Sequence, residues 1–230
     1  MNPETKTSST WASTSLKDAF PIIVGYFSIS VAFGVLAQNY MGWYAVLMSA
    51  LVFAGASQFI ALQMLIHKSA MPLIVLTTFL VNLRHILMSS YIATLYGKIK
   101  ASTLKKAIVS FGITDETFAI ASRRLRELPD ANYHLSLNFL CYASWVSGTA
   151  VGLLFGNMIP SAVVDVLPFA LTALFITLLV LSVRTRVDVF VAAFAGVVST
   201  LLSFLPVGWN VMLAAILACV LGGVLEKWTR

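Results

Sequence analysis

Arg84 stands in the middle of an apolar run, within Asn82-Leu83-Arg84-His85. It lies roughly a dozen residues from either end of the run 70–96, too far for the side chain to snorkel to water. A guanidinium at that depth costs about 2.5–3.5 kcal/mol on insertion scales before a neighbour compensates it. Two arrangements provide compensation: a structural pair with a carboxylate or with backbone carbonyls, or a fixed positive charge facing a polar cavity. On a regular helix Asn82 and Arg84 point about 200° apart, whereas Asn82, His85 and Ser89 share a face. If all of them line one cavity, the helix must be broken here, which membrane depth tolerates where backbone faces such a cavity.

Other residues suggest the same chemistry. The stretch Val52–Phe59 (VFAGASQF) puts Gly55, Ser57 and Gln58 near the middle of the run 43–66. Small residues there serve close helix packing, and an amide bonds across helices or belongs to a polar site. His85 is either a hydrogen-bonded core residue or a proton carrier, since its ordinary pKa lies near neutrality. Asp115 and Glu116 are partners for Arg84, or carriers of a coupling proton, if their segment is inserted; on a surface helix they are solvated charges. Gly34 interrupts the first apolar run and suggests a broken helix whose free N–H groups receive a carboxylate. Gly148, Gly152 and Gly156 recur every four residues, the small-xxx-small spacing of a packing seam. No GxSxG, HExxH or P-loop pattern occurs, and no His or Cys pair has metal-ligand spacing, so neither covalent catalysis, a metal nor a cofactor is expected.

These residues need a membrane helix bundle to position them. Of 230 residues 59% are hydrophobic and 10% charged, with a mean hydropathy of +0.90. A soluble domain carries about 25% charged residues, so a soluble enzyme, a secreted disulfide scaffold and a disordered chain are excluded. Continuous rather than alternating apolar runs exclude a β-barrel. The net charge of +6 is assigned to basic loops that set orientation, not to nucleic acid. Cys141 and Cys219 are expected as buried hydrophobes.

Seven apolar runs, at 20–37, 43–66, 70–96, 137–157, 161–183, 188–205 and 209–225, predict an all-α polytopic membrane protein of about seven spans. A polar segment, 1–19, precedes one transmembrane domain, 20–230. Residues 97–130 hold seven of the 15 basic residues. Their centre, 107–121, is an amphipathic surface helix, a re-entrant element or a short eighth span, and a cytoplasmic-side or partly inserted helix is preferred. Seven spans with this stretch inside put the N-terminus outside. An offset of 118 (152 − 34) aligns Gly34 with Gly152 and Lys68 with Arg186. It suggests an inverted repeat of three spans with broken helices, 20–96 and 134–208, joined by 97–133 and followed by a last span at 209–225. Chance among apolar residues explains the same matches.

VFAGASQF at 52–59, NLRHILMS at 82–89, GITDETFA at 112–119 and AFGVLAQ at 32–38 after PIIVGY together resemble the AzlC family. The resemblance implies a multi-pass permease of the inner membrane that exports branched-chain amino acids: valine, leucine and isoleucine. It implies a small separate membrane subunit of the AzlD type and coupling to protons. On that reading Arg84, or a broken helix at Gly34, holds the substrate carboxylate. Gly55 borders the site, and Ser57, Gln58 and Asn82 supply neutral hydrogen bonds. His85, with Asp115 or Glu116, is the proton-linked group. Two other classes fit the same composition: a polytopic enzyme acting on a lipid-linked substrate through His85 and Asp115, and a passive channel or structural subunit. The enzyme needs its polar residues near the headgroups.

Overall fold

The computed structural model describes residues 3–97, 99–158, 160, 185–205 and 209–229 and scattered positions between 169 and 183, with backbone alone at 3–10, 209–212 and 226–229. All regular elements among them are helical. In chain order they are α1 (Pro3–Met41), α2 (Tyr44–Leu51), α3 (Gly55–Ile66), α4 (Met71–Asn82), α5 (Arg84–Tyr96), α6 (Thr103–Phe111), α7 (Asp115–Glu127), α8 (Ala131–Phe155), α9 (Arg186–Leu201) and α10 (Trp209–Thr229). The expected span 161–183 lies outside the described residues, apart from those scattered positions. Three stretches among the described residues are long and apolar enough to cross a membrane: Trp11–Met41, Met71–Tyr96 and Ala131–Met158.

Local chemistry sets most of the boundaries. Pro72 opens α4, where its missing N–H leaves no helical bond unmade. Ser102 and Asp130 cap α6 and α8 through their side chains. Thr114 with Thr117, and Thr185 with Asp188, form reciprocal capping boxes on α7 and α9. The polar first 19 residues are not a separate element, because α1 begins at Pro3 and runs through them.

The centre of the bundle is the contact between α1 and α8. Ser136, Ser144, Gly148, Gly152 and Gly156 of α8 face Ser15, Ile23, Phe27, Val31 and Val35 of α1. The separation in sequence is 121 in every pair, so the two helices run in the same direction. Glycine is required at this seam. A Cβ at Gly152 would lie 2.1 Å from the Val31 carbonyl oxygen, and one at Gly34 would lie 2.2 Å from that of Thr149. Gly34 therefore does not break a helix: α1 is continuous through it, and the residue serves close packing instead.

The run 43–66, expected as one span, is a hairpin. α2 enters beside the C-terminal half of α1, and its end brings Phe53 against Tyr26, at 5.9 Å between ring centroids, and Tyr142, at 5.4 Å. After the extended residues 52–54 the chain turns back. Gln58 of α3 donates to Ser49 of α2, and Phe59 packs on Phe33, two helical turns beyond Tyr26. The stretch around 107–121 forms a second hairpin, from the opposite end. α6 climbs along α8, with Lys105 donating to Asn132 and Asn138 donating to the Val109 carbonyl. Thr114 reaches Tyr26 at the tip, and α7 retreats until Arg124 meets Asp18. Of the three forms the sequence allowed for this stretch, the re-entrant one describes it. Because α7 returns to Asp18, the N-terminal end of α1 lies on the same side as the basic stretch, contrary to the expected topology. The physical reason is that a hairpin returns to the side it entered from, so neither hairpin changes the parity of the crossings.

The offset of 118 pairs α1 with α8, and these run parallel. A different pair is antiparallel. α4 and α5 descend from the α3 end toward Tyr96, which meets His134 near the start of α8, while α8 climbs away. Each of these spans follows its own hairpin. Gly55 and Asp115 open α3 and α7, and Met71 and Ala131 open the spans, 60 positions apart in both cases (115 − 55, 131 − 71). Hairpin plus span thus occurs twice, at 44–96 and 103–155, in opposite directions.

Candidate functional site

The two hairpin tips and the interruption of the second span meet at one place. Around Leu83 the helical ladder tightens: Leu83 N–H bonds to Leu80 and Ile86 N–H to Leu83, each three residues back, and α5 restarts at Arg84. The sequence made a break conditional on Asn82, Arg84, His85 and Ser89 lining one cavity. Only Arg84 and His85 do, and Leu83 keeps helical dihedrals (φ −54°, ψ −28°), so the helix tightens here by one turn and stays in line. A cavity of about 30 Å³ lies there, space for one or two water molecules. Its walls are Phe53 to Ala56 of the first tip, Thr114 to Glu116 of the second, Arg84 and His85 of α5, Tyr26 of α1 and Trp145 of α8. Tyr26 is the midpoint of Trp11–Met41, and Trp145 is close to the midpoint of Ala131–Met158.

The charges are arranged across this space. Arg84 Nη1 lies 2.8 Å from Asp115 Oδ2, with the two side chains 29% and 27% exposed. The pair is neither sealed nor freely solvated. Arg84 Nε is buried and has no hydrogen-bond partner among the described residues. Glu116 Oε2 accepts from the Tyr26 hydroxyl, which also contacts Thr114 Oγ1 at 2.6 Å. α7 is too short to cross a bilayer by itself. His85 Nδ1 lies 3.1 Å from the Asn82 carbonyl. A carbonyl only accepts, so in the neutral ring this contact puts the hydrogen on Nδ1 and leaves Nε2 free to accept a proton. Opposite the carboxylates, Ala54 gives α3 no side-chain cap, so the first-turn N–H groups at Gly55 and Ala56 open beside the cavity.

Five of the nine expected site residues border the cavity: Gly55, Arg84, His85, Asp115 and Glu116. Three others stand behind it. Gln58 is fully buried with both ends of its amide engaged, accepting from Trp145 Nε1 at 2.8 Å and donating to Ser49 at 3.0 Å. Ser57 donates to the Ala54 carbonyl and accepts from Asn82 Nδ2 at 3.2 Å, tying α3 to α4. Gly34 belongs to the α1–α8 seam. Gly55 has a steric role too: a Cβ there would lie 2.4 Å from the Trp145 ring.

Sequence reasoning missed Tyr26, Phe53, Thr114 and Trp145. Trp145 carried a signal. Tryptophan favours the interface, so one at mid-span needs an internal partner for its N–H, here Gln58. Tyr26 sits edge-on to both Phe53 and Trp145, with ring centroids 5.9 and 5.4 Å away, which makes one wall of the cavity aromatic.

The AzlC protein family matches residues 21–159, a stretch that contains every cavity-lining residue and both hairpin-and-span units. The chain belongs to the AzlC family. An Archaeoglobus fulgidus protein described as an uncharacterized membrane protein is 36% identical over 91% of this chain and 91% of its own. The inner membrane protein YgaZ of Escherichia coli is 32% identical over 77% of this chain and 75% of its own. The branched-chain amino acid transport protein AzlC of Bacillus subtilis is 27% identical over 76% of this chain and 70% of its own. No solved structure matches. The family and the three long apolar helices describe a membrane protein with a role in transport.

Proposed function

We propose that this AzlC protein is the large subunit of a secondary transporter that exports branched-chain amino acids across the inner membrane, driven by protons and working with a small AzlD-type subunit. One observation carries the reading: the Arg84–Asp115 pair lies at mid-depth beside the uncapped start of α3, where two hairpins from opposite ends meet. A branched-chain amino acid is a zwitterion with an apolar tail. Its carboxylate finds the N–H groups of Gly55 and Ala56 and the unpartnered Nε of Arg84. Its ammonium finds Asp115 and Glu116. Its side chain lies against Phe53, Tyr26 and Trp145. The helix start that receives the carboxylate is thus α3 rather than a break at Gly34.

The cavity in this conformation is smaller than valine, so loading requires a tip to withdraw. Hairpins that enter from opposite ends give each side its own gate, which is what alternating access needs. Glu116 and His85 border the cavity and carry the coupling proton on this reading. The positive-inside rule makes the end holding 97–130 and Lys17 cytoplasmic, leaving Lys68 on the minority side. The mid-depth position of the polar cluster weighs against an enzyme acting on lipid headgroups. The substrate class is supported by the name of the Bacillus subtilis relative, a branched-chain amino acid transport protein, and the partner is what the family resemblance implies.

The test is efflux of labelled valine, leucine, methionine and lysine from cells carrying the chain with and without its small subunit. Valine and leucine should leave faster with both present, and Arg84→Ala should abolish this at unchanged membrane level. Wild-type efflux by Arg84→Ala, or no efflux of any of the four, defeats the reading.

A further inference from the structure

A second, larger recess lies between α5 and α6, at the basic end of the protein. Its volume is about 250 Å³, roughly eight times that of the central cavity. It exists because α6 packs on α8 rather than on α5, held there by Asn138 donating to the Val109 carbonyl and by Lys105 donating to Asn132. The floor is apolar and buried, made by Ile92, Tyr96 and Val109. The rim is polar: Ser89 of α5, with Lys106 and Ser110 of α6. Lys106 makes no ion pair among the described residues.

The recess and the central cavity share a helix face. His85 borders the cavity, and Ser89, Ile92 and Tyr96 follow at spacings of four, three and four along the same side of α5 into the recess. Along that face Met88 and Ile92 belong, with Val109 and Ile113 of the second hairpin, to one buried apolar cluster that forms a plug. Withdrawal of that hairpin would separate the two sides of the plug.

We propose that the recess between α5 and α6 is a second binding site for a small zwitterion with an apolar side chain, occupied on the basic side before or after the central cavity. It rests on the transport reading above and names where the substrate waits. Lys106 receives the carboxylate, the Ser89 hydroxyl accepts from the ammonium, and the floor of Ile92, Tyr96 and Val109 takes the side chain. A cation above an apolar floor also suits an anionic phospholipid, and the experiment separates the two.

Ser89→Cys and Ser110→Cys are made separately with Cys141→Ala and Cys219→Ala, and each is co-expressed with the small subunit. Inverted membrane vesicles are treated with a membrane-impermeant thiol reagent. Both cysteines should react, and valine should slow the reaction at least threefold, with half-protection needing at least fivefold more valine when Lys106→Gln is added. Leu104→Cys, exposed at the start of α6 on the same side, should be labelled and show no protection. Protection by another zwitterion but not by valine keeps the recess and defeats the branched-chain reading. Absence of labelling, labelling that no amino acid affects in a variant that still exports valine, or protection only by added anionic phospholipid overturns the proposal. If one cysteine variant loses export, the other decides by the same criteria. If both do, Lys106→Gln decides, through a fivefold higher valine requirement for export from cells at unchanged protein level; an unchanged requirement overturns the proposal.

Discussion

Arg84 and Asp115 meet at 2.8 Å across the starts of two helices, α5 and α7, that belong to opposite halves of the duplicated architecture. Neither half contains both charges. Asp115→Ala should leave the guanidinium unpaired and lower stability by about 1–3 kcal/mol. Arg84→Ala with Asp115→Ala should recover most of that stability without recovering export. Melting in detergent and valine efflux, measured on the same preparations, check both statements. Recovery of export by the double variant would mean that the pair is only structural.

The α1–α8 seam should reject any side chain. Gly34→Ala puts a Cβ 2.2 Å from a backbone oxygen that cannot move aside, and should cost at least about 2–3 kcal/mol. Gly25→Ala, on the same helix with nothing among the described residues within 4 Å, should be neutral or stabilising by up to about 1 kcal/mol. Membrane abundance and melting temperature distinguish the two.

Gln58 links three elements through one buried amide. Gln58→Leu strands the Trp145 N–H and should cost about 1–3 kcal/mol. Adding Trp145→Phe, which removes the stranded donor, should return part of the loss. A larger loss in the double variant would show that the indole itself carries the packing.

The second hairpin is fastened at its return by Arg124, which binds Asp18 through two nitrogens at 2.8 and 3.0 Å while Tyr133 donates to the same carboxylate. Arg124→Lys cannot reproduce the two-pronged contact. It should destabilise by about 1 kcal/mol and increase proteolytic cleavage between α7 and α8 in inverted vesicles. Unchanged cleavage would show that the hairpin is held elsewhere.

Glu116 borders the central cavity and accepts from the Tyr26 hydroxyl. On the proposed reading its proton should link export to the pH gradient. Glu116→Gln stays neutral at every pH, so its export should lose the response to a pH gradient while valine–valine exchange continues. A wild-type gradient response in this variant would move the coupling elsewhere.

The sequence made the fold class legible because continuous apolar runs have one physical solution in lipid. It also exposed Arg84, His85, Asp115 and Glu116, because charge at membrane depth is costly enough to be conspicuous. The hairpins were hidden. Residues 43–66 are as long and apolar as a span, and the reversal at 52–54 rests on Phe53 finding Tyr26 and Tyr142, partners far away in sequence. Gly34 and Gly55 were equally ambiguous, since a glycine permits either a break or a close approach. Only the neighbours decide, Thr149 in one case and Trp145 in the other. The repeat at offset 60 left little trace, because the two tips diverged: Phe53-Ala54-Gly55-Ala56 against Ile113-Thr114-Asp115-Glu116.

That divergence makes the midpoint of the protein electrically lopsided. One tip offers bare peptide dipoles, positive end inward, and the other offers two acids. On the proposed reading a molecule bearing both signs of charge sits between them in a single orientation and crosses without turning over. On that reading an amine lacking the acid group, or an acid lacking the amine, leaves one end unanswered and should be carried less well than the zwitterion.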